Sequence, residues 1–195
     1  IQIAGQEVLA QRVTYVGELG WELYVASPGA LAVWDALWQA GRPHGIRAVG
    51  YKAIDSLRLE KGYRYWSVDM TPSDDPYSAG LGFCVRLEKG DFLGREALQR
   101  IKAEGIQQKL CTVTIDAEGN VIYGGEAVYA DGRLVGRLRS GGYGYTVGSY
   151  IGYVYLPLEL TQLNTPLEVE AFGQRVRATV AADVLYDPKG ERIRS

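Results

Sequence analysis

Two stretches of the chain combine carboxylates with aromatic side chains, a combination that suits recognition of a flat, polar ligand. The first stretch, YVGELGWELY, runs from Tyr15 to Tyr24 around a glycine-containing turn. If Glu22 points inward from a strand, it is a buried acid that needs a partner. Two adjacent N–H groups on a planar heterocycle would supply that partner through charge-assisted hydrogen bonds. The alternative is that Glu18 and Glu22 are solvated residues beside a turn.

The second stretch, AIDSLRLEKGYRYW, spans Ala53–Trp66. Asp55 and Arg58 are three residues apart and can pair on a helix. Glu60 falls at the predicted end of this helix, where the helix dipole disfavours a negative charge, so we expect a nearby cation or backbone donor. Three aromatic residues follow the helix and could stack on a ring or pack in a core: Tyr63, Tyr65 and Trp66.

Several classes of site are excluded or disfavoured by what the sequence lacks. There is no GxxxxGK[ST] motif, and the cluster Gly141–Gly144 lies between predicted strands, where a barrel turn explains it better than a nucleotide loop. The single histidine, His44, excludes histidine-based metal sites, and we expect Cys84 and Cys111 to be inert buried thiols. No metal site is therefore predicted.

Charge and hydropathy limit the partners and the cellular compartment that we expect. A net charge of −2 and a pI near 5.5 argue against a nucleic-acid-binding surface. No segment is typical of a membrane span or a secretory signal. These observations favour a cytoplasmic protein, or one of the mitochondrial matrix in a eukaryote.

The elements that must carry the two stretches are predicted from periodicity and from turn residues. Before Gly105 the chain is α+β, with helices that end at glycines. We predict a hairpin of Arg12–Val16 with Trp21–Val25, a helix from Ser27 (N-cap) to Gly41, a helix over Val49–Lys61 ended by Gly62, a buried strand over Leu81–Leu87 and a helix over Arg95–Glu104.

After Gly105 the helical period disappears and short strands follow one another. Asp131-Gly132 predicts a two-residue type I′ hairpin turn, and Gly173 predicts a second tight reversal. We therefore expect a small antiparallel β-barrel or jelly roll, and two domains over residues 1–105 and 106–195. The predicted strands are Gln108–Ile115, Glu126–Ala130, Arg133–Leu138, Tyr150–Tyr155, Leu167–Phe172 and Gln174–Val180.

Several ordered motifs together resemble a known family. They are GELGWELY after Tyr15, then AIDSLRLEKGYRYW, then Asp74-Asp75-Pro76 with AGLGF, and finally FLGREAL. This combination resembles the folate-binding aminomethyltransferase family, the glycine-cleavage T-protein superfamily. Within it, the chain is most similar to the C-terminal, tetrahydrofolate-binding part of sarcosine and dimethylglycine dehydrogenases and oxidases.

The resemblance implies one-carbon transfer. A flavin domain, absent from this chain, would use FAD to oxidise an N-methyl amine, and the folate domain would capture the carbon as 5,10-methylenetetrahydrofolate. The fold implied is the second half of a T-protein-like folate-binding domain followed by a C-terminal barrel. Glu22 matches the glutamate that holds the pterin N–H edge, Tyr15 matches a folate-contacting tyrosine, and Tyr63 and Tyr24 are further folate contacts.

The barrel arginines have two interpretations. They could attract the glutamate tail of the folate, or they could simply be exposed strand residues. They are Arg133, Arg137, Arg139, Arg175 and Arg177.

Two departures from the family pattern qualify these implications. Ile54 stands where glycine-cleavage T-proteins have an arginine, which favours the sarcosine and dimethylglycine branch. The catalytic aspartate of the family belongs to an N-terminal half that this chain does not contain, and neither Asp55 nor Asp69 occupies its motif. We therefore assign no catalytic residue here, and the C-terminal tyrosine of the family has no clear match.

The chain begins at Ile1, so we expect it to be part of a longer protein cut inside the folate-binding unit. The missing half and the flavin domain are then its partners. We also expect an exposed sheet edge and apolar patches that favour self-association. Two alternatives stay open: a folate-binding protein without transferase activity, of the RNA-modification or iron–sulfur maintenance type, and a non-catalytic structural fragment.

Overall fold

The N-terminal part of the protein is built on a small antiparallel sheet. The computed structural model describes residues 1–117 and 119–194. Three strands lie in the order β1 (Gln2–Ile3), β2 (Gln6–Gln11) and β3 (Glu22–Val25). Val8 lies opposite Val25, and Val8 is almost fully buried, so one face of the sheet packs inward.

The predicted hairpin is correct in its second strand and wrong in its first. Residues 12–21 form an irregular loop, and β2 rather than Arg12–Val16 pairs with β3. Val13 and Tyr15 have the alternation of a strand, but the pairing that buries Val8 against the core uses the earlier segment. Burial of Val8 therefore decides which of the two alternating segments pairs with β3.

Among the described residues, three of the four α-helices lie where the sequence predicts them, while the fourth, α4 (Glu191–Arg194), is a short helix near the C-terminus. The three are α1 (Ala30–Gly41), α2 (Tyr51–Glu60) and α3 (Arg95–Glu104). A 3₁₀ turn over Ser27–Gly29 precedes α1, so the N-cap of α1 is Gly29 and the prediction that Ser27 is the N-cap is wrong. Gly62 has a φ of 77°, the left-handed conformation predicted for the end of α2.

The prediction of a buried strand over Leu81–Leu87 is wrong. The segment contains a 3₁₀ turn, Gly82–Cys84, and Cys84 is exposed rather than buried. Just before it, the Asp75 carboxylate accepts the N–H groups of Tyr77 and Ser78 at 2.8 and 2.9 Å. These local bonds give the backbone an alternative to a sheet, which a short apolar run does not reveal. The second cysteine, Cys111, is buried as predicted.

The C-terminal part is a closed antiparallel barrel, as the succession of short strands predicts. Its strands lie in the order β4-β7-β6-β5-β8-β9. Asp131 and Gly132 both have positive φ, 48° and 76°, which is the geometry of the predicted type I′ turn. The bounds are β4 (Gln108–Ile115), β5 (Ala127–Ala130), β6 (Arg133–Gly144), β7 (Ser149–Pro157), β8 (Pro166–Ala171) and β9 (Gln174–Val180).

Helix α2 packs on the outer surface of this barrel. Leu59 lies in one buried cluster with Ile151 and Tyr153 of β7. Gly142 of β6 makes the close approach possible, since a Cβ there would lie 3.1 Å from the Leu59 side chain. Helix α2 thereby connects the sheet-bearing part of the chain to the barrel. None of the helices in the described ranges is long and apolar enough to cross a membrane.

Candidate functional site

Tyr15 and Tyr63, two of the four predicted ligand contacts, lie against each other. Their rings stack with centroids 5.7 Å apart and planes 18° apart. The Tyr15 hydroxyl donates to the Arg64 carbonyl at 2.7 Å, and its ring also meets the edge of Tyr65. Burial raises the pKa of Tyr15, so its hydroxyl remains a neutral donor at physiological pH. The pair forms a half-buried aromatic wall, to which loop 12–21 contributes Tyr15 and the segment after α2 contributes Tyr63.

Glu22 and Tyr24 form the second pair, on β3. The Tyr24 hydroxyl donates to Glu22 Oε2 at 2.6 Å, and this hydrogen bond raises the pKa of Tyr24. Both side chains are exposed, because they point away from the face that carries Leu23 and Val25. The condition that Glu22 points inward and is buried is therefore not met in this chain. Its Oε1 atom has no hydrogen-bond partner among the described residues and is open to a ligand.

Arg58 organises the segment that bears the aromatic wall. It is 4% exposed and donates to Asp69 Oδ2 at 2.5 Å and to Ser140 Oγ at 2.8 Å. Asp69, which is fully buried, also accepts the N–H of Tyr65 at 2.7 Å. Arg58 further donates to the carbonyl of Tyr63 at 3.3 Å. The segment after α2 is thus tied both to the helix and to the barrel.

Sequence reasoning found only part of this network. The predicted pair of Asp55 and Arg58 exists, with Nε and Oδ1 3.4 Å apart. The sequence does not predict the second and closer partner, Asp69, whose Oδ2 lies 2.5 Å from Arg58. An aspartate within an aromatic segment was a usable signal for a buried partner. Ser140 gave none, because it lies on a barrel strand far away in sequence.

Glu60 has the compensating donors that its position predicted. Its Oε1 accepts the backbone N–H groups of Thr146 and Val147, at 2.5 and 3.1 Å, from the loop that joins β6 to β7. The carboxylate is almost fully buried, so these bonds replace the water it has lost. They also join α2 to the β6–β7 hairpin. The predicted barrel turn at Gly141–Gly144 is wrong, because these residues pair with β7 as the last part of β6 and the turn follows at residues 145–148.

A cleft of about 690 Å³ opens between α2 and the β6–β7 hairpin. Tyr65 lines it, so the cleft begins beside the wall of Tyr15 and Tyr63. Of the barrel arginines, Arg139 lines this cleft and pairs with Asp74 at 3.4 Å, whereas Arg175 and Arg177 pair with Glu168 and Asp116 outside it. Six tyrosines are among the residues that line it: Tyr51, Tyr65, Tyr123, Tyr143, Tyr145 and Tyr150.

Comparison with known protein families gives two matches that follow one another along the chain. The family described as GCVT N-terminal domain matches residues 1–89. The glycine cleavage T-protein C-terminal barrel domain matches residues 108–187. The chain belongs to the glycine cleavage T-protein family. Its closed barrel is the barrel of that family, whereas the boundary between 105 and 106 stays a prediction.

Two longer relatives match this chain over its whole length. The 4-methylaminobutanoate oxidase (formaldehyde-forming) of Paenarthrobacter nicotinovorans is 42% identical over 195 residues, 100% of this chain and 24% of that protein. Mitochondrial sarcosine dehydrogenase of Mus musculus is 39% identical over 202 residues, 100% of this chain and 22% of that protein. The chain thus spans less than a quarter of the length of these relatives.

A solved structure of a family member supports the fold. The crystal structure of glycine cleavage system aminomethyltransferase T from Bartonella henselae superposes with a TM-score of 0.82 at 26% identity. The superposition covers 90% of this chain and 49% of that one. The sheet-bearing unit and the barrel together therefore correspond to about half of a T-protein.

Proposed function

We propose that this chain is the tetrahydrofolate-binding portion of an enzyme that oxidises an N-methylated amine and transfers the one-carbon unit to tetrahydrofolate. The observation that carries the proposal is the match of its full length to sarcosine dehydrogenase and an N-methylamine oxidase, combined with both parts of the T-protein family. The product would be 5,10-methylenetetrahydrofolate. The amine oxidation belongs to a flavin domain of the parent protein, outside this chain.

The donor set of the candidate site suits a reduced pterin. A pterin ring presents adjacent N–H donors on one edge, and the open Oε1 of Glu22 is an acceptor for them. The ring is flat, and the Tyr15–Tyr63 pair offers an aromatic surface beside the same loop. When bound, tetrahydrofolate supplies the nitrogen atoms that take up a one-carbon unit.

The residues of this chain would bind and orient rather than carry out proton transfer. Glu22 would fix the edge of the ring, and Tyr24 would hold the carboxylate through its hydroxyl. Tyr15 and Tyr63 would limit water access on one side, which protects a hydrolysable one-carbon unit. The general acid would come from the other half of the folate-binding unit, since no aspartate here has that motif.

A binding measurement tests the ligand. We expect 5-formyltetrahydrofolate, a stable reduced folate, to raise the Tm and to change the fluorescence of Trp21 or Trp66. Replacing the Glu22 carboxylate by an amide, Glu22→Gln, should weaken binding about tenfold or more, because a charge-assisted hydrogen bond is lost. Glu104→Gln, an exposed glutamate at the end of α3, is the matched control and should leave binding unchanged.

Two results of this measurement would contradict the proposal that a reduced folate binds at Glu22. One is the absence of any Tm or fluorescence change at millimolar 5-formyltetrahydrofolate. The other is an equal loss of affinity in Glu22→Gln and Glu104→Gln, which would mean that a specific role of Glu22 is wrong.

A turnover measurement on the full-length parent protein tests the transfer. The name of one relative includes formaldehyde formation, so free formaldehyde is the product to compare. With tetrahydrofolate present, we expect 5,10-methylenetetrahydrofolate to form at the expense of formaldehyde. Glu22→Gln should shift the product back towards formaldehyde while amine oxidation continues at an unchanged rate. Formaldehyde yields that do not respond to tetrahydrofolate would exclude the transferase function and favour a protein that binds folate without transfer, or a structural unit.

A further inference from the structure

The segment that follows β9, residues 181–187, leaves the barrel and crosses to the sheet-bearing unit; we call it the strap. The backbone N–H groups of Leu185 and Tyr186 both donate to the carbonyl of Glu60, at 3.1 and 2.9 Å. Glu60 is the last residue of α2, where carbonyl groups lack partners within the helix. The strap thus occupies the C-terminal end of α2, directly beside the turn that leads to Tyr63.

Loop 12–21 depends on side-chain contacts for its position. Within the described residues it has no strand partner, although it connects β2 to β3 and carries Tyr15. The Tyr15 hydroxyl bonds to the Arg64 carbonyl at one end of the loop. Farther along, the Glu18 carboxylate accepts a hydrogen bond from the hydroxyl of Tyr186 in the strap. A residue predicted as either solvated or ligand-binding is therefore bound by the strap.

Lys61 lies between the loop and the strap. Its ammonium group donates to the carbonyl of Asp187 at 2.6 Å and to the Asp187 carboxylate at 2.8 Å, and it lies 6.0 Å from the centre of the Tyr186 ring. On the other side, Gly17 has a φ of 80°, and a Cβ there would lie 2.8 Å from the Lys61 side chain. Loop, lysine and strap therefore pack as one unit, in which only glycine fits at position 17.

We propose that Tyr186 and Glu18 are positioning residues for the ligand site: their hydrogen bond holds loop 12–21 so that Tyr15 and Glu22 have a fixed relative geometry. This inference rests on the proposed function, because the ligand is the reduced folate assigned above. A loop that is already ordered loses less conformational freedom when the ligand binds, so affinity is higher. The hydrogen bond to Glu18 raises the pKa of Tyr186, which keeps its hydroxyl protonated and able to donate.

The test removes one hydroxyl group from the strap. In Tyr186→Phe we expect the Kd for 5-formyltetrahydrofolate to rise about fivefold, the size expected for one lost hydrogen bond. Hydrogen exchange of the backbone amides in residues 12–21 should become faster in the ligand-free protein. A general loss of stability would not speed exchange in this loop alone. Glu18→Ala should have the same two effects. The double variant should bind 5-formyltetrahydrofolate with the same Kd as either single variant, because both substitutions remove one hydrogen bond.

The barrel offers a matched control. The Tyr129 hydroxyl donates to Glu170 at 3.1 Å, an exposed tyrosine–glutamate bond between β5 and β8. Tyr129→Phe should leave both the Kd and the exchange of loop 12–21 unchanged. Unchanged loop exchange and affinity in Tyr186→Phe, or effects of equal size in Tyr129→Phe, would overturn the inference.

The two readouts separate this inference from the proposed function. Tyr186→Phe could speed exchange in the loop while the unsubstituted protein does not bind 5-formyltetrahydrofolate. That result would overturn the folate assignment and support the role of the Tyr186–Glu18 hydrogen bond in ordering the loop. Binding by the unsubstituted protein with an unchanged Kd in Tyr186→Phe would overturn the positioning role and support the folate assignment.

Discussion

At the residue scale, two buried tyrosines on one barrel strand differ in whether the hydroxyl group has a hydrogen-bond partner. Tyr153 and Tyr155 are both buried on β7. The Tyr153 hydroxyl donates to the Leu59 carbonyl at 3.0 Å, whereas the Tyr155 hydroxyl is buried without a hydrogen-bond partner among the described residues. Burial raises the pKa of both groups, that of Tyr155 to about 12. Neither hydroxyl therefore ionises at neutral pH, and the difference between them is the hydrogen bond.

We expect this difference to appear in stability. Tyr153→Phe should lower the free energy of unfolding by about 1 kcal/mol, because the hydrogen bond from the buried hydroxyl to the Leu59 carbonyl is lost. Tyr155→Phe should leave it unchanged or raise it by up to about 1 kcal/mol, because an unpaired polar group is removed. Urea unfolding at pH 7 measures both. Losses of equal size in the two variants would contradict the assignment of partners.

The buried ion pair of Arg58 and Asp69 permits a second prediction. Arg58→Met should destabilise the protein by about 3–5 kcal/mol, since it leaves the Asp69 carboxylate buried and unpaired. Adding Asp69→Asn removes that charge while an amide oxygen can still accept the N–H of Tyr65. The double variant should therefore regain part of the loss in urea unfolding. A double variant less stable than Arg58→Met would show that charge burial is not the cause.

At the element scale, the agreement between sequence and structure follows the length and periodicity of each element. Helix α3 and strands β4 and β9 have the predicted bounds because each carries a sustained pattern between clear turn signals. The first hairpin strand and the segment over Leu81–Leu87 were wrong because short apolar runs do not distinguish a strand from a turn. Burial against distant residues decides between them.

The candidate site was predictable to a similar degree. The stacking of Tyr15 on Tyr63 and the pairing of Glu22 with Tyr24 join residues that the motifs had already singled out. The bond from Tyr186 to Glu18 was not predictable, because it joins segments far apart in sequence and depends on how the strap leaves the barrel.

Glycines at the ends of helices provide a prediction at this scale. Gly62 and Gly45 both have positive φ, 77° and 75°, and each follows a helical segment. A Cβ at position 62 would lie 2.7 Å from the carbonyl oxygen of Asp183, whereas a Cβ at position 45 would meet nothing within 4 Å. Gly45→Ala should cost about 1 kcal/mol through backbone strain alone. Gly62→Ala should cost at least about 1 kcal/mol more, because the strap must move.

Thermal and urea unfolding of the two alanine variants measure this difference. Equal losses would mean that the strap does not pack tightly against the end of α2. A larger loss in Gly45→Ala than in Gly62→Ala would contradict the packing outright.

At the scale of the whole molecule, the chain exposes apolar surface of the kind expected for part of a larger protein. On α1, Leu31 is 71% and Trp34 is 55% exposed, and Trp34 stacks on Trp38. Strand β3 is at the edge of its sheet, with Tyr24 exposed. Exposed apolar helices and free sheet edges favour association with another chain or segment.

We therefore expect the isolated chain to self-associate as its concentration rises. Trp34→Lys should reduce this association, because it places a charge in the apolar stripe of α1. Gln39→Lys adds the same charge at another exposed position of the helix and serves as the control. Sedimentation velocity over a hundredfold concentration range measures the effect. A monomer at every concentration, in the unsubstituted protein and both variants, would contradict the prediction.

The closure of the barrel has a consequence for how the protein is made. Strand β4 completes the barrel by pairing Val113–Ile115 with Ala178–Val180 of β9. Neighbouring strands such as β8 and β9 meet through a tight turn and can pair within microseconds, whereas this last seam joins segments far apart in the chain. During synthesis, one edge of β4 stays unpaired until β9 has emerged from the ribosome. For that interval the unpaired edge of β4 is open to pairing with another chain, and the interval lengthens when translation between the two strands is slow.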